Sequence, residues 1–216
     1  MRSRPEGQPA APVAIGGPIV ARIPYLNAEP FYADWESLPA ASCDLVPRRL
    51  GEDARDGAVD AGLMAVVDYL KLADEFERAG NLGVACSGAV ESVLLLASTP
   101  IEDLDGGRIC LTTESSTSVE LCRLLLERHY GLDGLRYERR DLEGNHTPAA
   151  GEAWLVIGDA ALSTRLSHPE LVALDLGQAW REWTGLPFVF AVWVLRKSLP
   201  AENRQTLLGF LKTSLG

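Results

Sequence analysis

Apolar and polar positions along this chain switch between the strand period of two and the helical period of 3.6. "PIVARIPYL" reads as a buried strand. A helix is predicted over "AEPFYADWESL", with Asn27 standing where it would begin and Pro30 tolerated in its first turn. "PRRLGEDARDG" predicts a second helix, with Pro47 near its start and Gly57 at its end. The strand "AVDAGLMAV", the helix "VDYLKLADEF" and the strand "SVLLLAS" follow. In the second half "RICLT", "RYERR", "AWLVIG", "LVALDL" and "PFVFAVWVL" read as strands, separated by helices at 118–130, "ALSTRL" and "AWREWTG". "AENRQTLLGFLKTSL" is a last helix. The alternation predicts an α/β protein with mainly parallel strands.

One stretch, "LTTESSTSVELCRLLLERHYG", carries more hydroxyls than a helix start requires. Thr117 and Glu120 fit a capping box, and Val119, Cys122, Leu125, Leu126 and His129 recur at helical spacing behind it. Ser115, Ser116 and Ser118 remain as surplus donors beside the free N–H groups of a helix start, at the C-terminal end of a strand. That is where α/β sheets place ligands. The pattern points to anion binding, and to a carboxylate, because no Gly-rich loop with a lysine is present for polyphosphate.

The remaining candidates have plainer readings. His129 sits on the apolar stripe as a core or surface-edge residue, and His146 and His168 lie in polar loops; Glu91 and Asp159 are better placed as a base, although Asp159 in "GDAAL" also reads as a helix cap. No H-x-E, H-E-x-x-H or cysteine pair offers metal ligands at usable spacing, so no metal is expected. The tryptophans Trp154, Trp180, Trp183 and Trp193 are expected to pack.

Composition narrows the partners. With 216 residues and 47% hydrophobic positions the chain can form one domain or two small lobes with a sizeable core. Twenty Lys and Arg against 30 Asp and Glu, a net charge of −10 with no basic block, exclude phosphate-driven nucleic-acid binding. A small anion is not excluded, because oriented backbone N–H groups can dominate the field inside a cleft. Cys43, Cys86, Cys110 and Cys122 show no C-x-x-C spacing and read as reduced residues of a cytoplasmic protein. The first 17 residues, broken by Pro9, Pro12, Gly16 and Gly17, lack the apolar core of a secretory signal and are expected to form a disordered leader. No apolar run approaches the roughly 18 to 20 residues that span a bilayer.

Taken together, "RIPYLNAEPF", "VDAGLMAVVDYL", "CSGAVESVLLLASTPIEDLDGGRICLTTESSTSVELCRLLL", "LVIGDAAL" and "LDLGQAWREWTGLPFVFAVWVLR" resemble the chorismate dehydratases of the futalosine route to menaquinone, over residues 18 to 197. The resemblance implies a two-lobed, periplasmic-binding-protein-like (type II) fold with the ligand cleft between the lobes. Its first lobe would be 18–96 plus 188–216 and its second 97–187, with "SVLLLAS" and "PFVFAVWVL" crossing between them. It also implies conversion of chorismate to 3-[(1-carboxyvinyl)oxy]benzoate and water without a cofactor. Asn27, at the family's "YLN" position, is assigned to the reacting face, and Ser87, Gly88 and Ser92 match the hinge segment. With Ser115, Ser116, Thr117, Ser118, Gly158 and Asp159 they form the expected substrate-binding set. No side chain stands out as the base, and a carboxylate of the substrate could accept the proton.

Two other readings are the sister enzyme 1,4-dihydroxy-6-naphthoate synthase and a non-catalytic cytosolic protein that binds a small carboxylate. Two positions depart from the family. Ala65 replaces a proline common in the cleft-lining segment, and the chain stops at Gly216 after one helix where the family continues. A C-terminally shortened fold that exposes apolar surface and self-associates is therefore expected.

Overall fold

The structure is a computed structural model that describes residues 17–33, 35–38, 40–141 and 147–215. The expected leader, apart from Gly17, and His146 lie outside the described residues. Two five-stranded sheets organise the chain. The first contains β1 (Ile19–Arg22), β2 (Ala41–Asp44), β3 (Ala61–Ala65), β4 (Phe76–Cys86) and β10 (Phe188–Arg196), in the order β2-β1-β3-β10-β4. The second contains β5 (Val93–Ala97), β6 (Arg108–Leu111), β7 (Arg136–Arg139), β8 (Glu152–Ile157) and β9 (Val172–Asp175), in the order β7-β6-β8-β5-β9. Around them lie α1 (Pro47–Arg55), α2 (Val66–Lys71), α3 (Thr117–Leu124), α4 (Gly158–Ser167), α5 (Leu176–Thr184) and α6 (Ala201–Leu215). Among the described residues no helix is long and apolar enough to cross a membrane.

The strands at the sheet centres are the ones the apolar pattern predicts. Every residue of β3 and of β5 is buried, as expected for strands covered on both faces. β2 and β4 were not predicted, and both are edge strands. β4 carries Arg78, Gly80, Asn81 and Gly83, and its one solvated flank removes the apolar signature.

The expectation of mainly parallel strands is corrected. β1 pairs in parallel with β2 and β3, and β6 with β7 and β8, whereas β10 runs antiparallel to β3 and β4, and β5 to β8 and β9. β5 and β10 are the strands that arrive from the other sheet, and they enter reversed. β5 pairs only within the second sheet, so residues 93–96 belong there and not to the first lobe. The chain passes between the sheets at 87–92 and 185–187. β10 pairs in the first sheet, although Phe188 and Phe190 near its start pack on the second core.

Each sheet has its own core. Val20, Leu50, Met64, Phe76 and Trp193 fill the first, and α6 closes it with Leu207, Phe210 and Leu211. Leu95, Ile109, Leu111, Leu125, Leu155 and Leu176 fill the second. The segment "AEPFYADWESL" forms two 3-10 helices, Leu26–Tyr32 and Trp35–Ser37, in place of the predicted α-helix. Pro30 withholds an N–H inside this segment, and the buried ring of Tyr32 fixes it by accepting the Ile23 N–H at 3.1 Å and packing edge-on to Trp35. The four cysteines are free thiols, Cys110 and Cys122 buried as expected.

Candidate functional site

A cleft of about 500 Å³ lies between the two sheets. Its walls come from the residues that follow four strands: Ile23 to Asn27 after β1, Ala65 at the end of β3, Glu114, Ser115, Thr117 and Ser118 after β6, and Gly158, Asp159, Ala160 and Leu162 after β8. These are the C-terminal ends of the parallel strands, where the chain turns into helices whose N–H groups face outward from the sheet edge. Pro47 at the start of α1, Ser92 in the connection and Phe190 of β10 complete the walls.

Among the described residues no lysine, arginine or histidine lines this cleft, and its charged side chains are Glu114 and Asp159. Positive potential must therefore come from backbone. The positions preceding α1, α3 and α4 are Val46, Ser116 and Ile157, and none makes a side-chain cap. The first-turn N–H groups of α4, those of Asp159 and Ala160 among them, have no acceptor within the helix and remain available to an anion.

The hydroxyl cluster divides its labour differently from the predicted capping box. Ser115, and not Thr117, supplies the capping oxygen: its Oγ accepts the Ser118 N–H and donates to Ser118 Oγ, both at 3.0 Å. The capping oxygen lies two residues earlier than the box assumed and the helix starts at Thr117 itself, so Thr117 is already inside it, and Glu120 lies exposed beside Arg123 at 3.9 Å. Thr117 turns to the first sheet and accepts the Val67 N–H of α2 at 3.4 Å. Ser118 Oγ, having accepted from Ser115, keeps its own proton for the cleft. Ser116 does not line the cleft; it faces a polar cavity of about 180 Å³ shared with Arg48, Asp68, Lys71 and Arg139.

Asn27, exposed, lines the cleft from within the first 3-10 helix, where Tyr25 and not Asn27 occupies the cap position. Asp159 lines the cleft as the second residue of α4; Ile157 precedes the helix, which corrects the reading of Asp159 as its cap. Gly158 adopts φ +61 and donates its N–H to Ser92 O at 2.8 Å, joining the connection to the helix start. Ser92 lines the cleft, with its hydroxyl on Val90 O at 3.4 Å. Ser87 and Gly88 lie outside it: Ser87 is exposed, and Gly88, at φ +118, packs toward α5 beside Gln178.

Three residues at or beside the site escaped the sequence reading. Asp175 caps α5 through the N–H groups of Gly177 and Gln178 and also holds those of Val90 and Glu91, so one carboxylate organises the inter-sheet connection. Its signal was an aspartate directly before a helical pattern. Tyr25 and Glu114 meet across the cleft, the phenol donating to Glu114 Oε2 at 2.8 Å. Burial first, and then the hydrogen bond to Glu114, pushes the Tyr25 phenol well above its ordinary range, so it stays a donor. Both were visible only as letters inside "RIPYLN" and "LTTESSTS".

His129 is exposed and stacks on Trp183 at 5.4 Å, and His168 pairs with Glu170 at 3.1 Å; neither lines the cleft. Among the described residues no group of three or more His, Cys, Asp and Glu side chains is placed to hold a metal ion.

Residues 18–215 match a protein family described as menaquinone biosynthesis. The chain belongs to the menaquinone biosynthesis family. The chorismate dehydratase of Thermus thermophilus is 36% identical over 172 residues, a match that covers 72% of this chain and 61% of that protein. An Archaeoglobus fulgidus protein shares the fold with a TM-score of 0.69 at 18% identity, covering 92% of this chain and 75% of that one. The periplasmic aliphatic sulphonate binding protein of Escherichia coli shares it at 0.58 and 16% identity, covering 92% and 72%. This member of the menaquinone biosynthesis family therefore has a periplasmic-binding-protein-like fold.

Proposed function

We propose that this chain dehydrates chorismate to 3-[(1-carboxyvinyl)oxy]benzoate. The observation that carries the reading is a cleft with hydroxyls and uncapped helix starts but, among the described residues, no cationic side chain, in a chain 36% identical to a chorismate dehydratase. Such a site suits a rigid dicarboxylate, because neutral oriented donors hold carboxylates without a strong ion pair that would have to be broken on release.

In this reading the units 17–86 with 188–215, and 93–184, are lobes that close on the substrate. Ser118, Thr117 and the start of α4 hold its carboxylates, and Asn27 stands at the reacting face as an amide that can donate and accept. The ring loses its hydroxyl and the hydrogen of the adjacent carbon as water, and aromatisation drives the step. Among the described residues no histidine lines the cleft, which supports a carboxylate of the substrate as the group that takes the ring proton. The free thiols support a cytoplasmic setting.

The test is incubation of the purified protein with chorismate, followed by ultraviolet absorbance and mass. Appearance of the aromatic product supports the reading. Binding of chorismate without product would leave a carboxylate-binding protein instead.

A further inference from the structure

We propose that Glu114 is a specificity-determining residue that reads the ring hydroxyl of the substrate, with Tyr25 as the residue that positions it. This rests on the reading of the ligand as a hydroxylated dicarboxylate. An acid in the wall of a cleft meant for two carboxylates is an electrostatic contradiction unless it has a task that they cannot meet.

The structure fixes Glu114 unusually well for a residue in a turn. Its N–H donates to Thr112 Oγ1 at 3.2 Å. Its carbonyl accepts the Arg48 N–H, from α1 on the other sheet, at 3.1 Å. Its carboxylate accepts the Tyr25 phenol at 2.8 Å. Backbone and side chain are thus held from both units, and rotation of the carboxylate is blocked. Oε2 is engaged by a phenol whose proton burial retains, and Oε1 has no hydrogen-bond partner among the described residues.

An ionised carboxylate only accepts hydrogen bonds. The substrate's two carboxylates also only accept, so neither can occupy the place beside Oε1. The single group on chorismate that can donate is its ring hydroxyl. Ser118 Oγ and the backbone N–H groups at the start of α4 offer the carboxylates donors, while Glu114 repels them and draws the hydroxyl. A ligand without the hydroxyl leaves Glu114 Oε1 without a donor, and a site built to hydrogen-bond a hydroxyl discriminates strongly against an analogue that lacks it. The dehydration product lacks that hydroxyl, so the same residue favours its release once the reaction is complete.

The experiment measures affinity for chorismate and for the isolated product on the full chain, with Glu114→Leu, Glu114→Gln and Tyr25→Phe, and records turnover and thermal midpoint alongside. Wild type should bind chorismate more tightly than product. In Glu114→Leu the ratio should fall by about tenfold or more, with chorismate weakened and product bound more tightly than by wild type. Glu114→Gln, equal in size, should also bind product more tightly, and it carries the test if the leucine variant misfolds. Tyr25→Phe should shift the ratio in the same direction by less. A rise in product affinity is an outcome that loss of structure cannot produce. If folded variants keep the wild-type ratio, or lose both ligands in parallel, the inference is overturned while the dehydratase reading stands. If wild type neither binds nor turns over chorismate, both fall.

Discussion

The Ser115 hydroxyl accepts the N–H of Ser118 and donates to its Oγ, both at 3.0 Å, so the serine that caps the helix also aligns the serine that lines the cleft. Capping and cleft lining fall to different hydroxyls, and single substitutions can separate them.

Ser115→Ala should lower stability by about 1 kcal/mol, the usual cost of a lost cap, with a fall in thermal midpoint. Ser118→Ala should leave the midpoint nearly unchanged and weaken chorismate binding by about 1.5–3 kcal/mol, as for a hydrogen bond to a charged group. Ser116→Ala should alter affinity little, because Ser116 faces the other cavity. Calorimetry and titration on the three variants decide the assignment; loss of affinity in Ser116→Ala alone would reverse it.

Asn27 caps nothing and is exposed in the cleft, so Asn27→Ala offers a clean separation of activity from folding. Turnover should fall by an amount equivalent to about 3–4 kcal/mol in the transition state if one preorganised polar contact is removed. The thermal midpoint should hold. A variant with near-normal kcat would remove Asn27 from the reacting face.

Arg196 cross-links the first unit. Its side chain is mostly buried, lies 4.5 Å over the Phe76 ring, pairs with Asp60 at 3.3 Å and Glu75 at 3.1 Å, and donates to the carbonyl oxygens of Ala54 and Val59. Lysine keeps the charge but cannot reproduce five fixed N–H directions. Arg196→Lys should cost about 2–3 kcal/mol by denaturant unfolding, the cost of leaving buried acceptors unpaired. An unchanged midpoint would show that its contacts are replaceable.

Alkaline pH supplies a separate test of the first core. Burial pushes the Tyr32 phenol from its ordinary value of 10.0 up to about 12. The folded state therefore holds this proton more tightly than the unfolded one, and the stabilisation is complete below pH 10 and lost as pH rises through 12. A shift of two units corresponds to about 2–3 kcal/mol. Unfolding free energy should decline across that window, with a shallower slope in Tyr32→Phe. Equal slopes in both proteins would mean that Tyr32 does not carry the dependence.

The buried strands β3, β5, β6, β8 and β10 and the helices α1 and α3 were legible in the sequence, because central position in a sheet demands apolar residues on both faces and helices leave a 3.6-residue stripe. The edge strands β2 and β4 were not, since β2 alternates half-buried with exposed positions and β4 carries Arg78, Gly80, Asn81 and Gly83, whereas the edge strands β7 and β9 were still predicted. Asn27, Ser92, Ser115, Thr117, Ser118, Gly158 and Asp159, chosen by local motif and resemblance, line the cleft, whereas Ser87, Gly88 and Ser116, chosen on the same grounds, do not.

The sequence by itself determined the α/β class, the excess of hydroxyls at the start of α3 and the absence of a basic surface block, because each follows from composition or short-range spacing. Only the tertiary structure decided which hydroxyl caps, which bridges to α2 and which faces the cleft, since moving the capping oxygen two residues back, from Thr117 to Ser115, redirects the side chains in the turn. It also decided that Tyr25 meets Glu114, 89 positions away. No local pattern encodes that pairing. It exists because β1 and β6 end on facing edges of two different sheets, and the geometry of their packing brings the two side chains within hydrogen-bond reach.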